Sequence, residues 1–268
     1  MADQPLIPPF GKKVHLEDYD PSFTNGMSKD DAKAREKKLE ARMGELQEML
    51  YAQGTQSLLV VLQAMDAGGK DGAIKHVFDA VNPQGVGVTA FKQPTPEELA
   101  HDFLWRVHPH VPPKGYIGIF NRSHYEDVLV VRVNQLVPQE VWEKRYEHIN
   151  AFERLIAERG TRILKFFLHI SRDEQKRRFQ ERLDDPSKQW KFAMGDLPIR
   201  EQWDDYMKAY EAVLTRCHTE AAPWHVVPAN KKWYRDLVIT QSIVQALEEM
   251  EVRYPDPEPG LESVVIPD

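Results

Sequence analysis

Five short apolar runs, each bounded by polar or turn-forming residues, punctuate the chain: Leu58–Gln63, Val86–Phe91, Tyr116–Phe120, Ile163–Ile170 and Trp224–Val227. Each has the length of a strand rather than a helix. Between them, apolar residues recur every three or four positions. From Asp30 to about Gln53, Leu39, Met43, Leu46, Met49 and Leu50 form such a stripe among alternating charges, which predicts a helix. Further helices are predicted from Gly72 to about Val81, stopped by Asn82-Pro83, and from Gln139 to Arg159, ended by Gly160. Thr95-Pro96-Glu97-Glu98 is a capping box with proline at the first helical position; the helix it opens is expected to run to about Val107. Ser171-Arg172-Asp173-Glu174 is a second box, leading into a basic helix that ends near Leu183. Helices near Ile199–His218 and over Trp233–Tyr254 complete the pattern. Apolar strands alternating with amphipathic helices predict an α/β protein, a three-layer α/β/α sandwich around a parallel sheet. Residues 1–28, rich in Pro, Gly and polar residues, read as an extended arm. Residues 29–254 read as a single domain, and the Pro- and Glu-rich residues 255–268 as a loose tail.

Composition mainly excludes. At 268 residues and 41% hydrophobic, the chain can build one large core. No apolar run reaches 18 residues, so no membrane span is expected, and the N-terminus lacks the pattern of a secretory signal. Cys217 is alone; this excludes an internal disulfide, suits a reducing cytosol and points to a cytoplasmic protein. It reads as a small buried hydrophobe. A formal net charge of −7 argues against nucleic acid as a partner held by global charge. An anionic substrate therefore needs a local basic patch. Arg172, Lys176, Arg177, Arg178, Arg182, Lys188 and Lys191 supply one, diluted by Asp173, Glu174, Glu181, Asp184 and Asp185. By composition alone that is the pattern of a solvated helix face. His101, His108, His110, His124 and His169 do not fall at metal-ligand spacing with Cys or acids, so zinc is not expected.

In a parallel sheet, function gathers at the C-terminal ends of the strands. Three of these ends are chemically loaded. Residues 64–71, Ala-Met-Asp-Ala-Gly-Gly-Lys-Asp, form a glycine-rich turn that points amides and Lys70 at a phosphate. It is an irregular P-loop: Ala64 stands at the first glycine and Asp71 at the usual Ser/Thr. Asp66 lies inside the anion cradle, where it would repel phosphate. Magnesium, which takes carboxylate and phosphate oxygens together, resolves that conflict. The second end is Asn121-Arg-Ser-His-Tyr-Glu-Asp127. An acid or amide there is where P-loop enzymes hold magnesium, and Arg122 can bind phosphate oxygens. The third follows Ile170 and opens the basic helix, where phosphate-transfer enzymes close a mobile basic lid. The Thr95 helix carries His101, Phe103 and Arg106. It reads either as a well-capped helix or as an acceptor-binding edge, with Phe103 against a base and Arg106 on a phosphate.

The segments 64–75, 94–98, 104–106, 120–127 and 173–179 together resemble the polyphosphate kinase 2 family, over roughly residues 30 to 250. Residues 121–133, with His124 where other subgroups tend to carry Trp, look like its class III subgroup. The resemblance implies a thymidylate-kinase-like P-loop fold with a helical lid at about 171–198. It implies transfer of the terminal phosphoryl of inorganic polyphosphate to AMP and ADP, giving ADP and ATP. It also implies magnesium, for which manganese can substitute, and a homo-oligomer, either dimer or tetramer. Carried onto this chain, it implies that Lys70 and the loop through Ala67, Gly68, Gly69 and Asp71 hold the polyphosphate end. Lys75, Arg132, Arg177, Arg178 and Arg182 line its path. Asp66 helps to hold magnesium, with Asp127 and with Asn121, at whose position some relatives carry Asp. Arg122 clamps phosphate. Phe103, Arg106, Asn121, Arg122, Glu126 and Asp127 face the acceptor nucleotide, Glu126 and Asp127 serving either metal or acceptor. The reacting set is then Asp66, Lys70, Asn121, Arg122 and Arg178. No strong general base is needed, because a nucleotide phosphate is already a nucleophile. Two rivals remain: an ATP-dependent nucleotide or small-molecule kinase, against which Asp71 argues, and a binding protein without turnover.

Overall fold

The computed structural model describes residues 7–267; the first six residues of the predicted arm and the last of the predicted tail lie outside the described residues. Five parallel strands form one sheet: β1 (Ser57–Gln63), β2 (Val86–Ala90), β3 (Ile117–Asn121), β4 (Thr161–His169) and β5 (Trp224–Pro228), in the order β2-β3-β1-β4-β5. The predicted strands are these five. Every residue of β1 and β5 is buried, as expected of strands covered on both faces. The chain builds β2 and β3 on one side of β1 and then β4 and β5 on the other, so the order reverses at β1. Ligands of open α/β sheets bind at such a reversal. Leu62 pairs with Asn121 in register, so the loops after β1 and β3 leave the sheet side by side.

The helices are α1 (Lys29–Gln53), α2 (Lys70–Val77), α3 (Pro96–Leu99), α4 (Val130–Val133), α5 (Gln139–Glu158), α6 (Arg172–Asp184), α7 (Asp196–Glu201), α8 (Trp203–Arg216) and α9 (Lys232–Glu249). α9 packs on α1, α2, β4 and β5; α5 packs on β4, and α4 joins α5 to α8. The arm is tied to α8: the Val14 and Leu16 amides donate to Thr215 Oγ1 and Glu211 Oε1, and both side chains enter the core. Among the described residues, no helix is long and apolar enough to cross a membrane.

Four predicted helices depart in their bounds, and a fifth in its cap. Thr95 and Glu98 form both halves of their capping box, yet α3 ends at Leu99 rather than near Val107. Beyond it Asp102 accepts from the Leu104 amide, a local turn that competes with helix. α2 starts at Lys70 and stops at Val77, so the lysine itself occupies the first turn. The helix expected at Ile199–His218 is two helices that meet at Gln202. α9 ends at Glu249 rather than Tyr254, with Glu251 in the left-handed region. At α6 only half of the predicted box forms. Ser171 accepts from the Glu174 amide, but the Glu174 carboxylate is taken by Arg177 and Arg178.

Below the sheet ends lies a buried charged cluster. Lys165 on β4 donates to Glu153 Oε2 (2.6 Å), Tyr125 Oη (2.7 Å) and the Cys217 carbonyl (2.7 Å). His124 and Tyr125 also meet Glu153 Oε1. Burial works against the Glu153 carboxylate, yet Lys165 and His124 hold its pKa below the ordinary range. The cluster fixes the residues that follow Arg122 to β4 and α5. Removing one partner leaves an uncompensated buried charge. Glu153→Ala is therefore expected to cost about 3–5 kcal/mol of folding stability. Urea denaturation measures this, and an unchanged midpoint would contradict it.

Candidate active site

The residues after β1 turn sharply: Ala67 (φ 58°) and Gly69 (φ 102°) both adopt left-handed backbone before α2 begins. Side chains brought from distant elements hold this turn by its carbonyl oxygens. Arg178, on α6, donates to Ala67 O (2.9 Å), Gly68 O (3.0 Å) and Ala229 O (2.5 Å), and its Nε meets Glu174. Arg235, on α9, donates to Gly69 O (3.2 Å) and is itself held by Asp236 at 2.6–2.8 Å. Lys70 Nζ reaches back to Ala64 O (2.9 Å). Gly69 suits this position by its φ, and a Cβ there would also press on the Arg235 guanidinium and force it to shift. Occupying the carbonyls with cations withdraws their negative ends from the face an anion approaches.

Lys70 is buried, and this desolvation, reinforced by the nearby Arg122 charge, pulls its pKa down to about 8. Arg122 follows β3 with φ 61°, its amide donating to Leu62 O. Its guanidinium lies between two carboxylates, Asp66 Oδ1 at 2.5 Å and Glu126 Oε2 at 3.2 Å, which hold it firmly charged. Gln63 Nε2 steadies Glu126, and Gln175 Nε2 donates to the Asp66 carbonyl. Asn121 Nδ2 donates to Asp71 Oδ1 (2.7 Å).

Two cavities meet here, each of about 620 Å³. The first is walled by the residue 66–71 loop, Asn121, Arg178, Arg182, Lys188, Lys191 and Lys232. Lysine and arginine side chains in its lining outnumber acidic ones, Asp66, Asp71, Glu181, Asp196 and Asp236, by nine to five. The second is bordered by Pro94, Leu99, Val130, Val137, Ile199 and Tyr206, with Arg106, Arg145, Glu126 and Asp127 among them. It joins an apolar wall to a few charged groups, the usual make-up of a small-molecule site. Phe91, Lys92 and Arg122 border both.

The structure thus gathers Asp66, Ala67, Gly68, Gly69, Lys70, Asp71, Asn121, Arg122, Arg178 and Arg182 around the first cavity. Arg106, Glu126 and Asp127 border the second. Asp127 is paired with Arg145 (2.6 Å), and burial raises its pKa to about 6; it borders the second cavity, whereas Asp66 borders the first. Phe103 lies beneath the Arg145 guanidinium, outside both linings. Lys75 is on the exposed side of α2. Arg132 bonds Tyr146 Oη and covers Trp142. Arg177 is half exposed and paired with Glu174 and Glu181. Sequence reasoning missed Lys92, Arg145, Lys232, Arg235 and Asp236. Arg235-Asp236 had one available signal, a charged pair opening the otherwise apolar run Leu237-Val238-Ile239.

A parallel sheet with this strand order and a phosphate-type loop after β1 defines a P-loop kinase fold. Residues 26–255 match the model of the family described as Polyphosphate kinase 2. The chain is 57% identical over 256 residues to the AMP/ADP-polyphosphate phosphotransferase of Meiothermus ruber, covering 95% of this chain and 96% of that one. It is 46% identical over 231 residues to the ADP-polyphosphate phosphotransferase of Rhodopseudomonas palustris, covering 82% and 80%. The crystal structure of polyphosphate kinase 2 from Arthrobacter aurescens superposes with a TM-score of 0.91 at 45% identity, covering 96% and 97%. The chain belongs to the polyphosphate kinase 2 family.

If Lys70 meets the anionic substrate, kcat/KM should fall as pH rises through about 8, where the free protein loses this ammonium. Lys70→Arg, which stays charged, should carry the plateau beyond about pH 10. A profile flat from pH 7 to 10 in the parent protein would exclude Lys70 from substrate contact.

Proposed function

We propose that this protein moves the terminal phosphoryl group of inorganic polyphosphate onto AMP and then ADP, yielding ADP and ATP. The observation that carries this reading is the position of Arg122 on the wall shared by two cavities of different character. The cationic cavity over the P-loop suits a polyanion end. The second, with an apolar wall and Arg106 and Arg145, suits a nucleoside and its phosphate. Their common boundary is where a phosphoryl group would pass. The printed activities of the Meiothermus and Rhodopseudomonas proteins supply the substrate classes.

In-line transfer between anions needs positioning and charge neutralisation rather than covalent chemistry. Lys70 and the loop amides orient the polyphosphate end. Arg122, exchanging Asp66 and Glu126 for phosphate oxygens, spans donor and acceptor and stabilises the equatorial charge. Arg106 and Arg145 orient the nucleotide phosphate. Arg178 and Arg235 act on the loop, keeping its carbonyls turned from the substrate. The donor set fits a magnesium or manganese ion: the Asp66 carboxylate and the Asn121 amide oxygen are hard oxygen ligands on the wall of the phosphate cavity. These two residues would hold the ion, which would supply charge neutralisation between the reacting phosphates. The same reading takes residues 29–254 as one domain, the segment from about 171 to 198, with Arg182, Lys188 and Lys191, as a closing lid, and the protein as a cytoplasmic homo-oligomer.

The test is a time course of AMP, ADP and ATP after mixing the protein with AMP, polyphosphate and magnesium. ADP followed by ATP is expected. ADP alone would restrict the acceptor to AMP. Phosphorylation only when ATP is the donor would replace this reading with an ordinary nucleotide kinase. Lys70→Ala should lower turnover about 10²–10³-fold, the usual loss for one donor to developing charge. A protein that only binds would instead lose affinity alone.

A further inference from the structure

A second basic groove, about 530 Å³, runs along the start of α6 and α9 outside the phosphate cavity. Its cations are Lys29, Arg177, Lys231 and Lys232, its acids Asp173 and Glu174. Glu174 is neutralised, since its carboxylate receives both Arg177 and Arg178 at 2.6–2.7 Å. Among the described residues, Lys29, Lys231 and Lys232 enter no ion pair. Partial burial and the like charges of Arg178, Arg235 and Arg177 lower the Lys232 pKa, against the opposing pull of Glu181. Four basic and two acidic residues line the groove, and this local excess of positive charge favours an anion.

The groove and the cavity adjoin at two places. Lys232 lines both. Glu174 joins Arg177 in the groove to Arg178 in the cavity wall. A ligand ending at Lys70 and longer than the cavity can leave past Lys232 and lie over Lys231 and Lys29. The hydrogen-bonding groups beside them, Ser171 and Asn230, are engaged with each other and with the arm. The groove therefore offers charge and little directional bonding, which suits a repeating polyanion rather than a small molecule of fixed shape.

We propose that this groove is an outer subsite for the distal phosphates of a long polyphosphate chain, so that Lys29 and Lys231 set chain-length preference without touching the reacting end. This rests on the polyphosphate-transfer reading above. The test compares the parent protein with Lys29→Glu/Lys231→Glu, both exposed positions, using short-chain and long-chain polyphosphate as donors to ADP. For the long chain, KM should rise about tenfold, and the slope of log KM on log salt should shrink by about one to two, the loss of about two phosphate contacts. Short-chain KM and kcat should be unchanged. Equal effects on both lengths, or no effect on either, would overturn the outer subsite while leaving the transfer reading intact. No polyphosphate-dependent ATP from the parent protein would overturn that reading and the subsite with it.

Discussion

A carboxylate inside an anion-binding loop is the constraint around which the site is built. Asp66 lies where phosphate would approach, and the Arg122 guanidinium answers it at 2.5 Å. Arg122 does so from left-handed backbone, a conformation that costs a non-glycine residue about 1 to 2 kcal/mol. The Leu62 carbonyl, the Glu126 carboxylate and the buried cluster under Tyr125 repay that cost from three directions. The pair also sets a competition. Any incoming phosphate must draw the same guanidinium from Asp66 and Glu126, so anion affinity and loop geometry are adjusted together.

The cations around the loop divide into two groups by what they already hold. Arg178 and Arg235 are buried and committed to main-chain carbonyls, and their work is architectural. Lys191 and Lys232 are exposed on the cavity rim and enter no ion pair among the described residues, whereas Lys188 beside them is held by Asp185 at 2.6 Å. Lys70 and Arg122 stand between, each with a protein partner that a phosphate can replace. A simple count of basic residues near the site would overstate its pull on an anion.

The β1 loop and the β3 loop were legible because each is a contiguous run leaving a strand, and strand register alone makes them neighbours. The basic segment after Ile170 was legible in charge but not in orientation. Arg178 looks like its neighbours in sequence, yet it faces inward while Arg177, one position earlier, faces solvent. Helix phase decides that, and a helix rich in charge leaves little apolar stripe from which to read phase. Lys232 and Arg235 were not legible: they adjoin the loop only through the packing of α9 on α2, a contact between residues more than 160 positions apart. Phe103 and the long helix expected around it illustrate a third limit, since the Asp102 turn redirects the chain with a single side-chain bond.

The reach of Arg178 and Arg235 has a consequence for synthesis on the ribosome. Domains emerge N-terminal end first, and contacts distant in sequence close last. The phosphate loop is complete once residue 71 has emerged, but its carbonyls wait for partners that arrive more than a hundred residues later. Until α9 has docked, a nascent chain carries the loop without the braces that shape it. The braced form of the loop thus requires both α6 and α9 to have emerged and docked.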